Sequence, residues 1–177
     1  MNCPNCGKPA QQYVEASYHY KESGLRNVFL KNSVVVTHCS KCESKFVEIP
    51  AIERLHDAIS YKLLMKRSLL AGDEFRFLRK WIGLTAEKLA PIMGYKTRVT
   101  ISKLENKMTP MSPHTDHHMR MVVISIKEES MKQRMNIEIS FEEWMNGIKP
   151  KPKKDRITID HDTIKGLPFP ATSQLCA

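Results

Sequence analysis

Residues 72–106 read GDEFRFLRKWIGLTAEKLAPIMGYKTRVTISKLEN, and their periodicity gives three short helices with tight joints. In the first, Phe75, Leu78 and Ile82 recur on one face at spacings of three and four. Gly83 ends it, since glycine readily takes the left-handed conformation of a helix terminus. Thr85 then stands at the N-cap of a second helix, with Glu87 in its first turn, where a carboxylate meets the positive end of the helix dipole. Leu89, Ala90, Ile92 and Met93 supply that helix's buried side, and Gly94 closes it. Pro91 removes one hydrogen bond from its interior, so this helix is expected to be kinked or short. A third helix follows, with Ile101 and Leu104 inward and Arg98, Thr100 and Lys103 outward. Two short helices joined by a glycine-bearing turn, the second with a polar and basic outer face, describe a helix-turn-helix. The plainer alternative is an unrelated helical bundle with a basic solvated face.

Charge placement bears on that choice. The chain of 177 residues carries a formal net charge of +9. Residues 61–110 hold eleven Lys/Arg against four Asp/Glu, while residues 1–60 are nearly balanced at seven against six. Residues 111–148 are slightly acidic, and residues 149–177 are basic again. A surplus concentrated on the helix-turn-helix is what a phosphate-binding surface requires. No run of eighteen apolar residues offers a membrane span, and MNCPNCGKPA lacks a charged-then-apolar export pattern. A cytoplasmic location is therefore expected.

Working outward toward the amino terminus, Cys3-Pro-Asn-Cys6 and Cys39-Ser-Lys-Cys42 form two CxxC pairs separated by thirty-two residues. Each pair presents two thiolates from one tight turn, and two such knuckles complete a tetrahedral S4 site for one structural zinc ion. Between them, Tyr13, Val14, Tyr18 and Tyr20, then Val28–Leu30 and Val34–Val36, have strand character. This is the pattern of a zinc ribbon. Disulfides would need an oxidising compartment, and a redox CxxC is usually single and set in a βαβ unit. Four thiolates leave no open coordination position, which argues against catalysis at the metal. His38 abuts the second knuckle without being needed as a ligand.

The run GLTAEKLAPIMG…TRVTISKLEN resembles the helix-turn-helix of phage-repressor-like regulators, whose recognition helix ends in an S-R-W-E-N-G type signature. Here the counterpart is Ser102-Lys103-Leu104-Glu105-Asn106, with Lys107 in place of glycine and a turn after Gly94 one residue longer. An amino-terminal CxxC…CxxC ribbon ahead of such a helix-turn-helix is similar to the MqsA, or YgiT-type, zinc-finger antitoxin family, over roughly residues 1–126. The resemblance implies an α+β chain: a small β-rich zinc ribbon followed by an all-α lambda-repressor-like domain. It implies a homodimeric repressor of a palindromic double-stranded operator, the antitoxin of a type II toxin–antitoxin pair, with a toxin protein as a further partner. Carried over by motif position, Arg98, Thr100 and Lys103 would lie near base edges, Thr85, Thr97 and Asn106 would hold phosphates, and Lys96 joins the DNA contacts. A toxin-neutralising module with weak DNA binding, a stand-alone regulator, and an RNA-gripping ribbon are the alternatives; the nearly neutral ribbon disfavours the last.

The organisation expected is a zinc-binding domain at 1–49, a connecting helix at 50–71, the DNA-binding domain at 72–128 and a carboxy-terminal extension at 129–177. Pro50 would open the connecting helix, with Ile52, Leu55, Ile59 and Leu63 on its apolar face and continuation toward Leu69–Leu70. Thr109–Pro113 forms a loop before a helix carrying Met119, Val122, Val123 and Ile126. His114, His117 and His118 share a face at its start, more a solvated helix end than a metal site, which would need a further separated ligand. Beyond, Ile137–Phe141 alternates like a strand, Ser140 and Glu143 form a capping box before Trp144, and KPKPKKDR at 149–156 is a basic linker. The last twenty residues read as mostly disordered apart from a strand at Ile157–Ile159, and Cys176 has no assigned role. There is no GxxxxGKS loop or GxSxG elbow, and Glu105 braces the recognition helix through an ion pair rather than acting as a lone acid. The chain is not expected to be an enzyme.

Overall fold

An eleven-residue strand, Val28–His38, organises the first part of the computed structural model, which describes residues 1–132 and 156–166. The expectations for Ile137–Phe141, Ser140, Glu143, Trp144 and Cys176, and for the linker up to residue 155, lie outside the described residues. The architecture is mixed, a small amino-terminal sheet followed by helices, compatible with an α+β class. It divides into two units, Met1–Ala58 with Arg156–Gly166, and a second beginning at Ile59.

In the first unit, β1 (Gln11–His19) pairs antiparallel along β2 (Val28–His38), with an irregularity between Glu15 and Ser17. The two β-branched runs at Val28–Leu30 and Val34–Val36 thus belong to one strand, bent where Asn32 takes a positive φ of 49°. Because β1 occupies one edge of β2 throughout, the other edge is shared. β3 (Lys45–Glu48) pairs antiparallel with Val35–His38, and β4 (Ile157–Asp160) pairs parallel with Val28–Lys31. Ile157 and Ile159 are buried with their directly opposed partners Val28 and Leu30. The Ile157 amide donates to the Asn27 carbonyl at 2.8 Å, and the Arg156 guanidinium lies 3.9 Å from the centre of the Phe29 ring. The short helix after β4, His161–Gly166, occupies residues expected to be disordered. Its start is fixed by Asp160, whose Oδ1 accepts from the Thr163 amide at 2.7 Å and hydroxyl at 2.6 Å. Ile159→Ala should therefore destabilise the sheet unit by about 2–5 kcal/mol, the usual range for emptying a core isoleucine site. A change below half a kcal/mol in chemical denaturation would mean that β4 contributes nothing to the sheet.

The helices are α1 (Ile52–Leu64), α2 (Gly72–Trp81), α3 (Ala86–Ile92), α4 (Arg98–Glu105) and α5 (Pro113–Lys132), with the His161–Gly166 helix as α6. In α1 the stripe of Leu55, Ile59 and Leu63 is fully buried, whereas Ile52, at the first turn, is exposed. The helix starts after Pro50 and ends at Leu64 rather than running on to Leu69–Leu70. Its closing carbonyls are taken by a side chain from α5. Arg120 donates from Nη1 to the carbonyls of Leu63 at 3.2 Å, Leu64, and Lys66 at 3.1 Å, and from Nη2 to that of Ser68 at 3.0 Å. Asp116, one turn away, receives Arg120 Nε at 2.8 Å and the Leu70 amide at 2.7 Å. Both side chains are fully buried. α5 itself starts where Ser112 Oγ accepts from the Thr115 amide at 3.1 Å, with Pro113 in the first helical position.

The stretch 72–106 folds into α2, α3 and α4. Phe75, Leu78, Ile82, Leu89, Ala90, Met93, Ile101 and Leu104 are buried, as the periodicity anticipates. Ile92 is not: it lies off the Leu89–Ala90–Met93 stripe and remains 46% exposed. Pro91 falls in the last turn of a helix only seven residues long, where the chain is already closing. The Gly94 amide donates to the Pro91 carbonyl at 3.0 Å and the Tyr95 amide to that of Ala90 at 2.8 Å.

Candidate functional site

The four cysteines meet because β2 ends against the amino-terminal turn. Cys3 Sγ lies 3.6 Å from Cys42 Sγ, Cys6 Sγ lies 3.6 Å from Cys39 Sγ, and all four sulfurs fall within 4.8 Å of one another. Disulfides are far shorter, about 2.05 Å. A tetrahedron of sulfurs bound at about 2.3 Å has an edge of about 3.8 Å, so this donor set can hold a metal ion. Among the described residues it is the one group of His, Cys, Asp or Glu with that arrangement. His38 and the three histidines of α5 do not join it; His114 and His118 meet edge-on at 6.1 Å between ring centres.

The two knuckles are built alike. The Cys3 amide donates to the Lys8 carbonyl at 2.7 Å, and the Cys39 amide donates to the Ser44 carbonyl at 3.1 Å. The residue after each second cysteine turns left-handed: Gly7 at φ 70° and Glu43 at φ 56°. Gly7 suits that turn by residue type, whereas Glu43 carries no such signal and is marked only by its position after Cys42. Local hydrogen bonds prepare the sulfurs for negative charge. The Cys42 thiol donates to Ser44 Oγ at 3.3 Å, an oxygen that also accepts from Asn5 Nδ2 at 3.1 Å; once the sulfur is a thiolate, the Ser44 proton can turn to it. The Ser44 hydroxyl and then its amide lower the Cys42 thiol to about 6. Amides of Cys42 and Lys41 lower Cys39. The Lys8 amide works in the same sense on Cys6, but desolvation and the three neighbouring thiols push it up to about 12.

A second candidate is the outer surface of α4. Its inner side is fixed by a buried carboxylate. Glu105 receives Arg79 Nε at 2.5 Å and Nη2 at 3.2 Å, and Arg76 Nε at 3.0 Å. Arg79 also donates to the Leu84 carbonyl at 2.7 Å, tying the α2–α3 turn to the same group. The expected ion pair of Glu105 is thus present, with partners on α2 that no local spacing reveals. Gly72 completes the clamp. A Cβ there would sit 2.5 Å from the Leu104 carbonyl oxygen and 2.6 Å from that of Glu105, so α2 approaches the end of α4 as only glycine permits.

No protein-family model, curated protein or solved structure matches the chain.

The residues singled out in the sequence lie on one stretch. Thr85, Lys96, Thr97, Arg98, Lys103 and Asn106 are exposed, and Thr100 is half-buried. Thr85 caps α3, its Oγ1 accepting from the Lys88 amide at 3.2 Å while its own proton stays available. Thr97 is the N-cap residue of α4 but makes no side-chain cap bond. Asn106 is engaged within the protein, accepting from Arg76 Nη2 at 2.5 Å and donating to Ser102 Oγ at 3.3 Å. Lys107 takes φ 62°, with the Met108 amide returning to the Lys103 carbonyl at 2.8 Å. It has the conformation of a helix-ending glycine, at a cost of about 1–2 kcal/mol for a residue bearing a Cβ. Lys107→Gly is accordingly expected to stabilise the helical unit by about 1 kcal/mol, after the extra flexibility glycine gives the unfolded chain. A thermal melt showing equal or lower stability would contradict that account.

Proposed function

We propose that this chain is a zinc-bearing, sequence-specific DNA-binding repressor, the antitoxin of a type II toxin–antitoxin pair as its sequence resemblance implies. It works in the cytoplasm as a homodimer and is not an enzyme. The observation that carries the DNA reading is the exposed surface of α4. Arg98, Ser102, Lys103 and Asn106 lie outward, flanked by Lys96, Thr97 and Lys107. The sole carboxylate of α4, Glu105, is turned inward and paired with two arginines. A helix end with several cations and no exposed acid suits a phosphate-lined groove. In this reading α3–turn–α4 is a lambda-repressor-like helix-turn-helix, with α4 in the major groove.

Arg98 and Lys103 suit the paired acceptors of guanine, and Thr100 approaches base edges beside them. Thr85, Lys96 and Thr97 hold phosphates and set the register, while Asn106 reaches a phosphate through the amide proton that Ser102 leaves free. Two subunits place their α4 helices about 34 Å apart on a palindrome. Zinc is the ion that four thiolates without an open position hold best, in a structural role. The ribbon supplies a surface to the toxin.

The test is binding of the zinc-loaded protein to labelled duplex from its own promoter, beside a scrambled duplex, at two salt concentrations. Tight binding that survives competitor supports the reading; sequence-blind binding that vanishes with salt reduces it to electrostatics. Lys103→Ala should relax preference at one base pair, by about 1–3 kcal/mol. A uniform loss across all sequences would make Lys103 a phosphate contact instead.

A further inference from the structure

One residue on the exposed face of α4 does not fit a surface made only for phosphates. Val99 is 53% exposed. It is also central: at about 100° per residue, Arg98, Ser102, Asn106, Val99 and Lys103 fan across one side of the helix in that order. A valine at this place gains nothing from water, and its branched side chain is a weaker helix former than alanine. Its backbone is held rigidly, because Gly72 and the Glu105–Arg79–Arg76 cluster fix α4 against α2. The branched methyl pair therefore projects from a rigid helix between a cation on either side, Arg98 and Lys103. The apolar feature of a DNA major groove is the C5-methyl group of pyrimidines, and it lies among the acceptors that arginine and lysine seek.

We infer that Val99 is a specificity-determining residue that packs on a pyrimidine C5-methyl group in the major groove, so that each half-site carries a methyl-bearing pyrimidine at a fixed position. The inference rests on the DNA-binding reading and names what that site recognises beyond charge. Thymine and 5-methylcytosine offer the same methyl group. Thr100 and Ser102, also on α4, supply hydroxyls that satisfy either base and so do not distinguish them.

The experiment uses the full-length, metal-loaded chain. Duplexes are selected from a randomised pool, and each thymine of the enriched sequence is then replaced, one at a time, by deoxyuridine, which lacks only the methyl group. Wild-type protein should bind about four- to sixfold more weakly at one position per half-site, the effect of losing one buried methyl contact, and be nearly indifferent elsewhere. Val99→Ala should bind thymine and uracil duplexes equally at that position while keeping its melting temperature and the preferences set by the other side chains. Restoring the methyl as 5-methylcytosine paired with guanine, against unmethylated cytosine, should recover a similar factor and identifies the methyl rather than thymine as the feature read. If uracil is neutral at every position, or if Val99→Ala keeps the wild-type sensitivity, the role of Val99 is overturned although DNA binding stands. If the pool yields no enriched sequence, the DNA reading itself falls, and this inference with it.

Discussion

Cys39→Ser is expected to leave the four-cysteine site unable to hold a metal ion and to unfold the sheet unit, while the helical unit keeps its own cooperative transition. Cys39 sits at the end of β2 with its amide fixed to Ser44 and its sulfur 3.6 Å from that of Cys6. Serine keeps the shape but loses the soft, charged donor. The unit has little else to rely on at that end, since Cys6 is exposed and β3 is only four residues long. In small zinc peptides the metal contributes on the order of 10–16 kcal/mol, which is the folding free energy itself. Amide exchange should therefore show β2 losing protection and α2, α4 and α5 retaining it, with metal content falling from one equivalent to none. A strong chelator should do the same to the wild-type chain. Acid should act in that direction too, because protons compete with the cation for the four thiolates. Protected β2 amides in a metal-free chain would show that the sheet stands without the ion.

The next largest effect belongs to Arg120→Ala, with an expected loss of about 3–5 kcal/mol from the helical unit, the range found when one partner of a buried pair is removed. Two penalties combine. Asp116 would stay buried with only the Leu70 amide to hold its charge, and the carbonyls at the end of α1 and in the segment to Ser68 would lose their donor. Arg120→Lys should recover only part of the loss. An ammonium keeps the charge beside Asp116 but cannot reach along the fork to Leu63, Lys66 and Ser68 together. Urea denaturation followed by helical ellipticity measures both variants. Should Arg120→Ala cost under 1 kcal/mol, the guanidinium would be a passenger in a core that closes without it.

Local chemistry made much of this legible in the residues. The two CxxC pairs announced the sulfur cluster, Thr85 its cap, and Gly83 and Gly94 (φ 74° and 75°) their helix ends. The inward side of Glu105 could be anticipated because a carboxylate amid so many cations seldom stays unpaired. What escaped notice depends on distant partners. Asp116 and Arg120 are an ordinary i, i+4 pair in sequence, and only the carbonyls of 63–68 make them a buried hub. Ile157 and Ile159 alternate like a strand, yet nothing in them says that the neighbour is Val28–Lys31. Ile52 and Ile92 erred for a related reason. Periodicity reports which side of a helix is apolar without reporting how far the covering surface extends. Among the described residues no helix is long and apolar enough to cross a membrane, in line with the hydropathy of the sequence.

The pairing of β4 with β2 also imposes an order on the birth of the molecule. Val28 leaves the ribosome early, but its partner Ile157 is made on the order of ten seconds later at ordinary translation rates. Until then the edge of β2 that carries Val28 and Leu30 has unsatisfied amides and carbonyls and uncovered apolar side chains, which is a template for pairing with another nascent chain. Metal binding by Cys3, Cys6, Cys39 and Cys42 would need no such wait, since all four precede Ile157 in the chain. An ion bound there would hold the knuckles while the sheet remains open, and a ribosome that stops before Arg156 would release a product with a sticky edge.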